Sequence, residues 1–148
     1  MGARRIYLHV PPENETIRTE IGSALKSDGI VLLTAQSSPG GDLMAWQREA
    51  KERIEMARRC EALTLLRVDN RERFVGDLLD IGVDEREHIE SERGAPMPCA
   101  VLDKSGAGLP IDVTDFRIER FDVTRAEWRN EFRKWLDAAR GRQAEVTP

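Results

Sequence analysis

Five short apolar runs punctuate the chain, and each is followed by a stretch whose apolar residues recur at helical spacing. The runs are Ile6–Val10, Ile30–Thr34, Ala62–Leu66, Cys99–Leu102 and Ile118–Phe121. Alternation of buried strands with amphipathic helices predicts right-handed strand–helix–strand units, hence an α/β fold with a mostly parallel sheet covered on both faces. Open sheets of this kind bind ligands in the crevice outside the carboxyl ends of the strands, where the strand order reverses. The pattern says where a site would lie. It does not say what the site does.

The first run is cut off by Pro11 and Pro12, which cannot continue a ladder. A helix is expected from about Asn14, with Ile17, Ile21, Ala24 and Leu25 on one stripe and Asp28-Gly29 as its stop. Gln36–Asp42 is the most loop-like stretch, with Pro39, Gly40 and Gly41 in its turn and Asp42 placed to cap the next helix. That helix carries Leu43, Trp46, Ala50, Ile54 and Ala57 on one face; Glu49/Arg53 and Glu55/Arg59 form acid-before-base pairs on the other. The third run ends in Arg67-Val68-Asp69-Asn70, and a helix follows from near Arg71 with Phe74, Leu78, Ile81 and Ile89 facing inward. Gly76 and Gly82 weaken that helix by up to ~1 kcal/mol each, which close packing against the backbone would explain. The last helix is expected to open with a Thr124–Glu127 capping box, to bury Trp128, Phe132, Trp135, Leu136 and Ala139, and to end at Gly141. The organisation is one domain over residues 1–141 and a polar tail or linker over 142–148.

Composition narrows the function classes. The chain has 148 residues, 40% apolar and 34% charged, enough for one sizeable core. A net charge of -4, with acids interleaved among the arginines, gives no reason to expect nucleic acid. Cys60 and Cys99 are the only cysteines, and no Cys/His cluster has metal spacing, so no metal is expected and a reducing compartment fits. No run approaches the roughly 20 apolar residues of a membrane span, and no signal peptide is evident. The expectation is a cytoplasmic protein without a membrane partner.

Taken together, the order of elements resembles a bacterial TIR (Toll/interleukin-1 receptor) domain. Ile6-Tyr-Leu-His-Val-Pro-Pro-Glu-Asn looks like that family's opening strand and acidic loop, and Asp28-Gly29-Ile30 like its link into the second strand. Pro39-Gly40-Gly41-Asp42 is similar to its Pro-Gly-Asp loop, Trp46 to an aromatic inside the next helix, and Cys60-Glu61-Ala62-Leu63 to the approach to its third strand. The resemblance covers roughly Arg5 to Leu102. It implies a five-stranded flavodoxin-like parallel sheet, order 2-1-3-4-5, flanked by helices on both faces. It also implies either signalling by assembly, often in anti-phage defence proteins, or hydrolysis of NAD at its ribosyl–nicotinamide bond.

Two readings follow from different classes. In the first, the chain is a signalling module that assembles with itself or with another TIR-like domain, as part of a longer chain, using Pro39, Gly40, Gly41 and Asp42 as one contact surface and requiring no cofactor. Leu78 standing four residues after Phe74, where catalytic members carry glutamate, favours it. In the second, NAD is a substrate, Asp77 is the catalytic carboxylate near the ribose, and His9, Pro11, Asp69 and Phe74 line the pocket at the strand ends. A plainer account makes Asp77, Asp80 and Asp84 a solvated acidic face and His9 a packed strand histidine. Another nucleotide-binding domain of this fold would want a Gly-rich phosphate loop after the first strand, which is missing. His88 lacks metal-ligand partners, and Ser105 and Cys99 lack a base in sequence reach, so hydrolase and thiol chemistry gain nothing.

Overall fold

All five apolar runs are strands: β1 (Arg4–His9), β2 (Ile30–Leu33), β3 (Ala62–Arg67), β4 (Cys99–Asp103) and β5 (Ile118–Asp122). A computed structural model of the chain describes residues 4–10, 14–34, 43–68, 71–105 and 116–146. The strands form one sheet in the order β2-β1-β3-β4-β5, and every neighbouring pair is parallel. The parallel α/β sheet is the one expected from the alternation of runs, and its flavodoxin-like strand order is the one the family resemblance implies. Every residue of β3 and β4 is buried. Strands covered on both faces have no solvated side to show, hence their mostly apolar sequence; the buried hydroxyl of Thr64 in β3 donates to Tyr7 O at 2.7 Å.

The helices are α1 (Glu15–Ser27), α2 (Leu43–Arg58), α3 (Arg71–Leu79), α4 (Arg86–Arg93) and α5 (Trp128–Val146). They sort by the strand alternation into two cores. Tyr7, Leu63, Leu65 and Val101 point to the face carrying Phe74, Leu78, Ile81 and Ile89. Ile6, Leu8, Leu66 and Leu102 point to the other, where Ile21, Leu25, Phe132 and Leu136 pack. Gly29 takes a φ of 77° and donates its amide to Lys26 at 3.0 Å, the left-handed stop that Asp28-Gly29 predicts. No helix of the described residues is long and apolar enough to cross a membrane.

Three local expectations are corrected. The helix beginning at Arg71 is not uniform: a π-helical segment, Asp80–Glu85, separates α3 from α4. Its Gly82 lies against the sheet, where an added Cβ would meet Leu78 Cδ1 at 3.4 Å and Ile118 Cδ1 at 3.5 Å; around Gly76 nothing lies within 4 Å. These are ordinary van der Waals distances, so close approach explains neither glycine. Asp80 and Asp84 are exposed, whereas Asp77, in α3, is half-buried. At the last helix, Asp122 Oδ1 accepts both the amide (3.0 Å) and the hydroxyl (2.5 Å) of Thr124. This local turn holds Thr124 at the strand end, and α5 begins at Trp128 instead of from a Thr124 box. The same helix passes through Gly141 to Val146.

Arg86 joins the segment to the sheet. Its buried guanidinium donates to Met97 O at 2.8 Å, to Phe116 O, and to Arg117 O at 3.4 Å. Arg117 has a φ of 55°, a left-handed conformation unfavourable for a residue with a Cβ. The clamp on the carbonyls at and before it holds that turn in place. Arg86→Lys keeps the charge but loses the planar fork, and its expected cost is about 2 kcal/mol in urea unfolding. Unchanged stability would show that the turn holds itself.

Candidate functional site

The order β2-β1-β3 reverses the chain's direction of travel between β1 and β3, so a crevice opens at the carboxyl ends of these strands. Alternation along β1 puts Tyr7 and, two residues on, His9 on the face covered by α3. There the imidazole meets a helix residue 68 positions away: His9 Nε2 lies 3.1 Å from Asp77 Oδ2. The His9 side chain is 11% exposed and that of Asp77 is 25% exposed. An ionised carboxylate can only accept, so while Asp77 is charged the shared hydrogen belongs to Nε2. A carboxylate with one oxygen so engaged keeps the lone pairs of the other for a ligand.

A second contact runs parallel to the first. Arg67, the last residue of β3, lays its guanidinium over the Phe74 ring, 5.4 Å from the centroid. Phe74 and Asp77 are three residues apart on α3, so they share a face and sit about 5–6 Å apart at Cβ. Phe74 itself is 4% exposed and belongs to the core. Its burial places it beneath Arg67. Leu78 is wholly buried and acts in packing.

The surrounding charges are committed. Arg53 Nε and Nη2 donate to Glu85 Oε2 and Oε1 at 3.0 and 2.5 Å, joining α2 to the π-helical segment. Burial opposes the Arg53 charge, but the hydrogen bonds and charge of Glu85 outweigh it and raise the pKa, with Tyr7 and Asp77 adding to the field. Asp103, the register neighbour of Arg67, accepts from Ser105 N (2.9 Å), Ser105 Oγ (2.5 Å) and Arg120 Nε (2.8 Å). Burial pushes its pKa up, yet these partners prevail and hold it below the usual carboxylate range. A pKa lowered by folding stabilises above the unfolded value and loses that stabilisation as pH falls through the folded one. Asp103→Asn is therefore expected to cost stability at pH 7, with the gap to wild type closing below about pH 4 in acid titrations followed by circular dichroism. A gap unchanged down to pH 2 would contradict this. Burial pushes the Cys60 thiol to about 11 and the Cys99 thiol to about 12, so neither is a nucleophile at neutral pH.

Of the residues singled out from the sequence, the structure brings His9 and Asp77 together and places Phe74 beside them. Pro11, Asp69, Pro39, Gly40, Gly41 and Asp42 lie outside the described residues. Trp46 lies in α2. Two further members were missed, Arg67 and Asp103. A charged residue closing a fully apolar run, with the helix below it, is the signal that would have found them.

No protein-family model and no curated protein sequence matches the chain. Among solved structures, it is similar to a 2-deoxyribosyltransferase from the psychrotolerant bacterium Bacillus psychrosaccharolyticus, characterised as a biocatalyst for the synthesis of nucleosides. The TM-score is 0.55 at 16% identity, over 80% of this chain and 85% of that one. That match shows the shared fold. It also corrects the TIR resemblance, and with it the signalling, defence and assembly reading and the alternative of NAD hydrolysis. The physical reason is plain in the topology. A sheet of order 2-1-3-4-5 imposes the same succession of strand, loop and helix on unrelated functions, so the order of short motifs could not tell one family from another.

Proposed function

We propose that the chain is an enzyme acting at the N-glycosidic bond of 2′-deoxynucleosides, free or phosphorylated, in the manner of a deoxyribosyltransferase. The observation that carries this reading is the His9–Asp77 contact at the reversal of strand order. Likeness of fold to a deoxyribosyltransferase supports it. Breaking a C1′–N bond leaves the electron pair on the departing base, which takes up a proton, and positive charge at the sugar carbon, which forms its new bond to a second base or to water with loss of a proton from that acceptor. A fixed carboxylate in a partly enclosed crevice stabilises that charge where it develops. Asp77 has this role in our reading, and His9 is its positioning residue.

The test is base exchange. The intact chain is incubated with each 2′-deoxynucleoside or its 5′-monophosphate and a different free base, and the products are separated by chromatography. Release of the original base, with or without exchange, is the expected result. No release from any of these substrates would overturn the proposal.

A further inference from the structure

Among the described residues, the Arg67 guanidinium carries buried donors that nothing satisfies. Arg67 is 7% exposed, yet its Nε and Nη1 are buried without a hydrogen-bond partner. Four other arginines are engaged: Arg53 holds Glu85, Arg86 holds three carbonyls, Arg120 holds Asp103 and Arg129 holds Asp28. Asp103, the acid nearest to Arg67 in the sheet register, is taken by Ser105 and Arg120. Two buried donors of a cation left unpaired are unfavourable, and the Phe74 ring beneath them recovers only about 2 kcal/mol. Such a group asks for a partner that arrives from outside.

Position says what the partner is. Arg67 closes β3 at the carboxyl edge of the sheet, and α3 starts at Arg71, so the helix's positive N-terminal end faces the same edge. A buried unpaired guanidinium beside a helix start recognises an anion, and its planar fork suits phosphate in particular. Phe74 and Asp77 lie one turn apart on α3, so Arg67, stacked over Phe74, and the Asp77 carboxylate belong to the same edge of the site.

Resting on the N-glycosidic reading above, we infer that Arg67 binds the phosphate of the substrate, and that the preferred substrate is a 2′-deoxynucleoside 5′-monophosphate. Calorimetric titration of the intact chain with the four 2′-deoxynucleosides and their 5′-monophosphates tests this directly. The best-bound monophosphate is expected to bind roughly 10- to 100-fold tighter than its nucleoside, the worth of one charged hydrogen-bonded pair. Arg67→Gln is expected to erase that difference, and Arg67→Lys, which keeps the charge without the fork, to keep part of it. Equal affinities in the wild type, no binding of any monophosphate, or a preference that survives Arg67→Gln would each overturn the inference. The wild-type comparison needs no variant, so a misfolded Arg67→Gln does not shelter it. Base release without phosphate preference would defeat this inference and leave the N-glycosidic reading standing. Phosphate-dependent binding without base release would do the reverse.

Discussion

Asp77→Asn is expected to lower the rate of base release by roughly 10²–10³-fold, the usual loss when one preorganised electrostatic contact to a transition state is removed. The substitution is nearly isosteric, and asparagine Oδ1 can still accept from His9 Nε2, so the fold and the histidine contact should persist. What disappears is the negative charge next to the sugar carbon. Thermal unfolding should therefore stay close to wild type while turnover collapses. Asp77→Glu carries the charge one methylene further, and misplacement by ~1 Å alone can cost ~100-fold, so it is not expected to rescue. Asp80→Asn and Asp84→Asn serve as controls, because both residues are exposed within the π-helical segment. If Asp77→Asn retains full turnover, the reacting carboxylate is another one and the site is misassigned. If Asp80→Asn loses as much as Asp77→Asn, the effect is one of helix charge and not of placement.

The sheet was legible because burial writes itself into sequence. A strand covered on both faces is apolar along most of its length, and β3 and β4 are, with Thr64, Arg67 and Asp103 as their buried polar exceptions. The strand termini fall within two residues of the apolar runs, the largest shift being at β1, where Arg4 and Arg5 extend the ladder beyond the run. The π-helical segment was not legible, since a widened turn conserves the apolar spacing on either side and only changes the phase between them. The capping sequence at Thr124 misled for the opposite reason. The local pattern was sound, but Asp122 reached Thr124 first.

The site was legible in parts and not as an assembly. His9 and Asp77 could each be named from position, one at a strand end and one on the following face of α3, but nothing local joins residues so far apart. The contact is made by topology, because β1 and β3 are neighbours and α3 lies over the junction. Arg67 carried its own signal, a cation ending an apolar run, which becomes meaningful only when its neighbours prove to be engaged elsewhere. The likeness to the TIR family failed at the level where families differ. Its motifs described loops, and the loops of this fold are where function varies while the scaffold stays the same.

The same reasoning locates the largest stability effect, on the opposite face of the sheet. Phe132 is wholly buried in α5, with its ring 5.3 Å from Phe121, 5.6 Å from Trp135 and 6.2 Å from Trp128. The sequence pattern named Trp128, Phe132 and Trp135 as the residues that hold this helix, and the structure puts Phe132 at the centre of them. Trp128 is 8% exposed and Trp135 only partly buried, so each tryptophan keeps contact on one side with water. Phe132→Ala removes a full ring from a closed site and breaks all three ring contacts at once. Its expected cost is about 4–5 kcal/mol, from the cavity and the lost aromatic pairs together. For a chain of this size that corresponds to a fall of roughly 10–15 °C in melting temperature. Trp135→Ala is expected to cost about 2 kcal/mol, since the site can drain to solvent and leaves no closed cavity. Urea unfolding followed by circular dichroism reads both variants without relying on tryptophan emission. A cost below about 1 kcal/mol for Phe132→Ala would mean that α5 is not bound to the sheet through this cluster, and a larger cost for Trp135→Ala would move its centre outward.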